Sequence, residues 1–138
     1  MNIVYSYFVL DIVHRGHLLM LKNSKAIAGP DGRLIVGIVS DEAVLVKKGK
    51  APTLDFSERL ELANSIQYVD AVVGQRNYTP YENVTNIAPN ILMESESHDE
   101  SQINEGRRLM KELGGRVIVM PYFHDQSSTL IKSKISAV

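Results

Sequence analysis

The sequence predicts an α/β fold: a single Rossmann-like domain of about five parallel strands with helices on both faces. Three observations carry this expectation. Short apolar runs of strand length recur along the chain, and the run Leu34–Val39 shows no polar alternation, as expected of a central strand covered on both sides. Between these runs lie stretches with helical spacing, capping residues and dense turn signals. The length, 138 residues, suits one domain that buries roughly two-thirds of its unfolded surface. Strands alternating with helices imply a parallel sheet with right-handed crossovers.

The elements follow in order. Residues 2–8 are rich in β-branched and aromatic types and form a first strand. Residues 16–28 read as a helix, with Met20, Leu21, Ser24, Ile27 and Ala28 on one face and Lys22 and Lys25 turned to water. Gly29-Pro30-Asp31-Gly32 stops it. After the Leu34–Val39 strand, Ser40 or Asp41 caps a short helix to about Val46, followed by a basic loop, Lys47 to Pro52. Asp55 and Glu58 have capping-box spacing for a helix over Phe56–Gln67. Asp70–Val73 is a third strand, and Thr79-Pro80 opens another helix. Asn90–Met93 is a fourth strand, Glu94–Glu100 a loop, and residues 101–113 a helix ended by Gly114-Gly115. Val117–Met120 is a fifth strand, and Ser127 or Ser128 caps a last helix.

Composition narrows the function. Lys and Arg total 15 against 16 Asp and Glu, a formal net charge of −1, so no basic excess points to nucleic acid or an acidic membrane. There is no cysteine, hence no disulfide and no thiolate chemistry. No apolar segment approaches the ~20 residues that span a bilayer. The N-terminal apolar run lacks a basic flank and a cleavage site, which leads us to expect a cytoplasmic protein.

In an α/β sheet, ligands bind where strand ends meet helix starts. The loops after strands one, two, four and five should gather at one edge and bring together His14 and His17, Lys47 and Lys48, Glu94 to His98, and Ser127-Ser128-Thr129. Imidazoles, ammonium groups, hydroxyls and a helix N-terminus suit a polyphosphate. Gly16 lets a ligand approach the backbone. No nucleophile with an adjacent base is evident, which fits direct transfer to a substrate oxygen. His98 and His124 read as ordinary loop residues.

His14-Arg15-Gly16-His17 resembles the HxGH signature of the nucleotidyltransferase superfamily that includes the cytidylyltransferases. The resemblance covers nearly the whole chain. Val39-Ser40-Asp41-Glu42 is similar to the stretch after the second strand in the choline-phosphate, ethanolamine-phosphate and glycerol-3-phosphate cytidylyltransferases. Lys48-Gly49 resembles their basic loop, Glu58-Arg59 with Tyr68-Val69-Asp70-Ala71-Val72 their E-R…Y-V-D-x-V-V segment, and Ser127 to Ile131 their I-S-S/T-T-x-I motif. There are departures. Phe8-Val9-Leu10-Asp11 stands where most members have G-T-F-D, Tyr122 where they have a phosphate-binding arginine, and Glu94 to His98 where they have G-D-D-W. Pro121-Tyr122 and Ser127-Ser128-Thr129 are similar to the ending of cytidylyltransferase domains joined to phosphoenolpyruvate mutases in phosphonate pathways.

The resemblance implies transfer of CMP from CTP, with Mg²⁺, to a small phosphonate such as 2-hydroxyethylphosphonate, releasing pyrophosphate. It implies His14, His17 and Lys48 as catalytic, and Asp11, Gly16, Arg59, Glu96, Ser127, Ser128 and Thr129 at the nucleotide. Tyr122 and Lys47 are expected at the acceptor, with no metal ligands assigned. It further implies a homodimer with no nucleic-acid or membrane partner, and residues 1–138 as a domain of either a whole protein or a larger bifunctional chain. Alternatives are a glycerol-3-phosphate-type cytidylyltransferase, an adenylyltransferase, and a non-catalytic nucleotide-binding module.

Overall fold

The computed structural model describes residues 1–123 and 127–137. The five expected strands are β1 (Ile3–Phe8), β2 (Arg33–Val39), β3 (Ala71–Gln75), β4 (Ile91–Ser95) and β5 (Arg116–Met120). They form one sheet in the order β3-β2-β1-β4-β5, with every pairing parallel. The chain leaves β1 first towards β2 and later returns to its other side with β4, so the strand order reverses at β1. That reversal opens a crevice at the carboxyl edge of the sheet, the usual ligand position in this class.

The helices are α1 (Arg15–Ala28), α2 (Asp41–Lys48), α3 (Phe56–Asn64), α4 (Tyr81–Ile87), α5 (Glu100–Glu112) and α6 (Ser128–Ser136). Alternation along each strand sorts side chains into two layers. Val4, Leu34, Val36, Ile38, Ile91 and Met93 pack against Leu21 and Ala28 of α1 and Ala63 of α3. Tyr5, Tyr7 and Leu92 face the other way, towards Val84 of α4 and Met110 of α5. Two polar bridges cross this frame. The Asp70 carboxylate accepts from Leu34 N at 2.8 Å and pairs with Lys25 at 2.6 Å, so Lys25 is not simply a solvated lysine. Tyr5 donates its hydroxyl to Gln75 at 2.6 Å and accepts from Asn83 at 2.9 Å, passing over Gly37, where a Cβ would collide with it.

Several boundaries differ from those expected, each for a local reason. α2 continues through Lys48 because Gly49 adopts a left-handed φ of 77° and closes the helix there, so Lys47 and Lys48 stand in a last helical turn and not in a loop. α3 stops at Asn64, where the Ser65 N–H turns back to Glu61 and Leu62 carbonyls. β3 runs later, over Ala71–Gln75, because Asp70 is engaged by its side chain. β4 extends through Ser95 and includes Glu94, a carboxylate buried against Tyr7 of β1 and His98 of the following loop.

Candidate active site

The stretch between β1 and α1 is shaped by its own histidines. His14 is the N-cap of α1 and accepts the Gly16 N–H at its Nδ1, 3.0 Å away. The His14 N–H in turn donates to His17 Nδ1 at 3.2 Å. The two rings lie 3.9 Å apart between centroids, and the edge of Phe8 meets His17. Because both Nδ1 atoms accept from backbone N–H groups, the neutral rings carry their protons on Nε2. Burial lowers the His14 pKa; burial, then His14 and Lys48, push that of His17 down to about 3. Both therefore act as neutral Nε2–H donors. A Cβ on Gly16 would sit 2.8 Å from the His14 ring and 3.2 Å from Phe123. The glycine thus makes room for the imidazole itself, and its expected role in admitting a ligand is secondary to that.

Just before this turn, Leu10 holds a left-handed φ of 57° with its side chain buried, an unusual conformation for a non-glycine residue and one found at functional turns. It delivers the Asp11 carboxylate into the crevice. Asp11 accepts from Thr53 N at 2.9 Å, Leu54 N at 2.8 Å and Lys132 Nζ at 2.5 Å. One carboxylate thereby ties the β1–α1 turn to the α2–α3 loop and to α6. Burial opposes its ionisation, yet the Lys132 bond and the two amides hold its pKa below the ordinary carboxylate value. Lys48 is shifted downward by burial and then by Lys132, a second cation facing the same space. Lys47 lies over the Tyr78 ring, 5.7 Å from its centroid.

These groups open onto a cavity of about 850 Å³, within the range that takes a nucleotide-sized ligand. Of the expected residues, Asp11, His14, Gly16, His17, Lys47 and Lys48 line it. Tyr122, Ser128 and Thr129 do so from the β5–α6 side. Ser128 Oγ donates to Ile12 O at 2.8 Å and docks α6 on the histidine turn. Three expected residues stand elsewhere. Ser127 caps α6, accepting the Leu130 N–H at 3.0 Å. Glu96 accepts the Tyr122 N–H at 2.9 Å and fixes the end of β5.

Arg59 requires a larger correction. It is fully buried and spends its guanidinium on the carbonyls of Val9, Val39 and Leu54 and on the Asp41 carboxylate, at 2.7–3.0 Å. It fastens the ends of β1 and β2 to α2 and α3, and it is not among the cavity-lining residues. Sequence reasoning also missed Lys132. Its signal was present, since it follows Thr129 by three and Ser128 by four positions on one helix and so shares their face.

At the β4 end, His98 lines the cavity and His124 lies outside the described residues. His98 Nδ1 contacts the buried Glu94 carboxylate, while the Ser95 N–H is directed at the same nitrogen from 3.2 Å. Tyr7 donates to Glu94 at 2.8 and 3.0 Å, and Gln102 Nε2 donates to the Tyr7 hydroxyl at 2.5 Å. Burial and then the Glu94 charge push the Tyr7 pKa far up, so the phenol stays protonated. Among the described residues no three His, Asp or Glu side chains converge on a metal-sized site. No helix there is long and apolar enough to cross a membrane.

Comparison with known proteins identifies the family and the fold. The chain is 34% identical over 128 residues to a FAD synthase of Korarchaeum cryptofilum, covering 91% of this chain and 85% of that protein. It is 29% identical to the D-beta-D-heptose 1-phosphate adenylyltransferase of Bordetella bronchiseptica, covering 96% and 81%. Neither name is that of a phosphonate-pathway cytidylyltransferase. The crystal structure of the lipopolysaccharide core biosynthesis protein from Thermoplasma volcanium superposes with a TM-score of 0.70 at 27% identity, covering 89% of this chain and 97% of that one. The cytidylyltransferase-like family model matches residues 9–134. The chain belongs to that family, within the nucleotidyltransferase superfamily.

Proposed function

We propose that the protein transfers a nucleotidyl group from a nucleoside triphosphate to a phosphonate or phosphate oxygen of a small acceptor, with CTP as donor and a phosphonate such as 2-hydroxyethylphosphonate as acceptor. The observation that carries the reading is the pair of neutral imidazoles whose Nε2–H donors face a cavity also lined by Lys48 and Lys132. In the transfer, an acceptor oxygen attacks the α-phosphorus. The bond from that phosphorus to the bridging oxygen breaks, and pyrophosphate leaves with the electron pair. His14 and His17 donate hydrogen bonds to α-phosphate oxygens as charge builds on them. Lys48 holds the acceptor's anionic group against the α-phosphate, Lys47 and Tyr122 flank it, and Ser128, Thr129 and Lys132 hold the leaving phosphates. The residues do not fit a protein-caged metal. Mg²⁺ is proposed only as the ion a triphosphate carries, keeping several waters.

The choice of CTP and a phosphonate rests on the resemblance of Pro121-Tyr122 and Ser127 to Thr129 to one branch of the family. A second reading, with ATP as donor, is favoured by the adenylyltransferase name of the Bordetella relative. Pyrophosphate release separates them, measured with CTP or ATP and Mg²⁺ over 2-hydroxyethylphosphonate, 2-aminoethylphosphonate, glycerol 3-phosphate and phosphocholine. Release from CTP with a phosphonate alone is the expected result. Release with a phosphate ester discards the phosphonate, release from ATP alone discards CTP, and tight nucleotide binding without release makes the chain a non-catalytic module. His14→Ala should lower the rate about 10²-fold or more with modest loss of binding; a wild-type rate would remove His14 from the reaction. The homodimer is likewise a proposal, checked by sedimentation.

A further inference from the structure

The cavity has two chemically opposite ends. On the α1 side, Lys47, Lys48 and Lys50 at the end of α2 and Lys132 of α6 make it cationic. On the other face of the sheet, no lysine or arginine is among the lining residues, and Tyr7, His98, Asp99 and Gln102 present themselves instead. Behind them Glu94 is 0% exposed, with Tyr7 and His98 as its hydrogen-bond partners. With Nδ1 engaged by Glu94, the ring is oriented and its other nitrogen is the available one. The Ser95 N–H also points at Nδ1 from 3.2 Å, but the buried carboxylate is the closer and charged partner and favours the Nδ1–H tautomer, which leaves an acceptor lone pair on Nε2. No hydrogen bond among the described residues occupies that atom. A phosphate placed here would meet the Asp99 carboxylate, with the Glu94 charge buried behind Tyr7 and His98 and no lysine or arginine on this side among the described lining residues. A hydroxyl or amine would donate to Nε2 and be favoured by the same field.

We propose that His98, held by Glu94, Tyr7 and Gln102, forms a recognition subsite for the hydroxyl- or amine-bearing, non-phosphate end of a substrate. The proposal rests on the nucleotidyl-transfer reading only in assigning phosphates to the cationic end. His98 makes the contact; Glu94 is a positioning residue that fixes the ring. The hydroxyl can come from the ribose of the nucleotide or from the acceptor. A site built to accept a hydrogen bond discriminates strongly against an analogue that lacks the donor.

Equilibrium binding by calorimetry on the whole chain tests it, with ligand pairs that differ by one hydroxyl: CTP and 2′-deoxy-CTP, ATP and 2′-deoxy-ATP, 2-hydroxyethylphosphonate and ethylphosphonate. Wild-type protein should prefer the hydroxylated member of at least one pair by about tenfold or more. A nucleotide pair places the ribose in the subsite, and the phosphonate pair places the acceptor there. His98→Ala should bring that ratio close to one, and Glu94→Gln should lower it, while inorganic pyrophosphate still binds with unchanged affinity at the cationic end. His98→Gln, which keeps the volume, guards against a folding defect. The proposal is overturned if wild-type protein distinguishes none of the pairs, or if the preference survives both His98 substitutions. Loss of the nucleotidyl-transfer reading has a separate signature, the absence of pyrophosphate release, and leaves these ratios interpretable.

Discussion

Replacing Arg59 by Met keeps most of the side-chain volume and removes the charge. In the structure the guanidinium is inaccessible and makes four hydrogen bonds, three of them to the backbone carbonyls of Val9, Val39 and Leu54. Each buried acceptor left without a donor costs ~1–3 kcal/mol. The fourth partner, Asp41, has a 39% exposed side chain and can rehydrate, which limits its share. Three such acceptors span ~3–9 kcal/mol, and the lower half of that span meets the ~3–5 kcal/mol typical of removing one member of a buried pair. Taking ~4 kcal/mol and a urea m-value of ~2 kcal/mol/M for a domain of this size, the unfolding midpoint should drop by about 2 M. Arg59→Lys keeps the charge but cannot reach all three carbonyls, so about half the loss should remain. Urea titrations followed by far-UV circular dichroism, with CTP affinity measured in parallel, provide the assay. A variant with the wild-type midpoint and sharply weakened CTP binding would refute the architectural role and return Arg59 to the ligand.

Three further outcomes are expected. His17 stays neutral in the fold down to about pH 3, whereas an unfolded imidazole takes up a proton below 6.5; stability should therefore fall with pH between those values, by roughly 3 kcal/mol at pH 4.5 from this residue. His17→Asn should flatten the stability profile from pH 7.5 to 4.5 by roughly that amount, and parallel profiles would contradict it. Lys132→Met should cost about 1 kcal/mol of stability at neutral pH, since its ammonium is a third exposed, and about tenfold in CTP affinity by calorimetry. The stability difference should vanish as the Asp11 carboxyl protonates below its lowered pKa, and a difference that persists would assign it to packing. Gly37→Ala should cost ~2–4 kcal/mol, because the new methyl displaces the Tyr5 hydroxyl from Gln75 and Asn83. Tyr5→Phe in the same chain should recover part of it, and additive losses would count against the clash.

The five strands, the alternation of helices and the histidine turn were legible because they are written in local pattern: apolar runs, caps and glycine stops. What escaped depends on partners distant in sequence. Glu94 reads as a loop residue, since an isolated acid rarely ends a buried strand; it is buried only because Tyr7 and His98 meet it from two other segments. Lys47 and Lys48 look like a solvated loop before Gly49, although that glycine closes a helix around them. Arg59 matches a family segment, yet its function is fixed by carbonyls at the ends of two strands that no spacing rule connects to it. The Asp11 network is similar: the carboxylate was singled out, but its grip on Thr53, Leu54 and Lys132 follows from tertiary placement.

The position of α6 also separates the sheet from part of the cavity wall along the sequence. All five strands and the pairings of the sheet are complete by Met120, whereas Ser128, Thr129 and Lys132 come afterwards. In chain order, every strand and the histidine turn precede the segment that carries Ser128, Thr129 and Lys132. Truncation after residue 123 would therefore leave all five strands in the chain and remove Ser128, Thr129 and Lys132 from the cavity wall. The strand framework and the completed cavity are thus encoded by two successive stretches of one polypeptide.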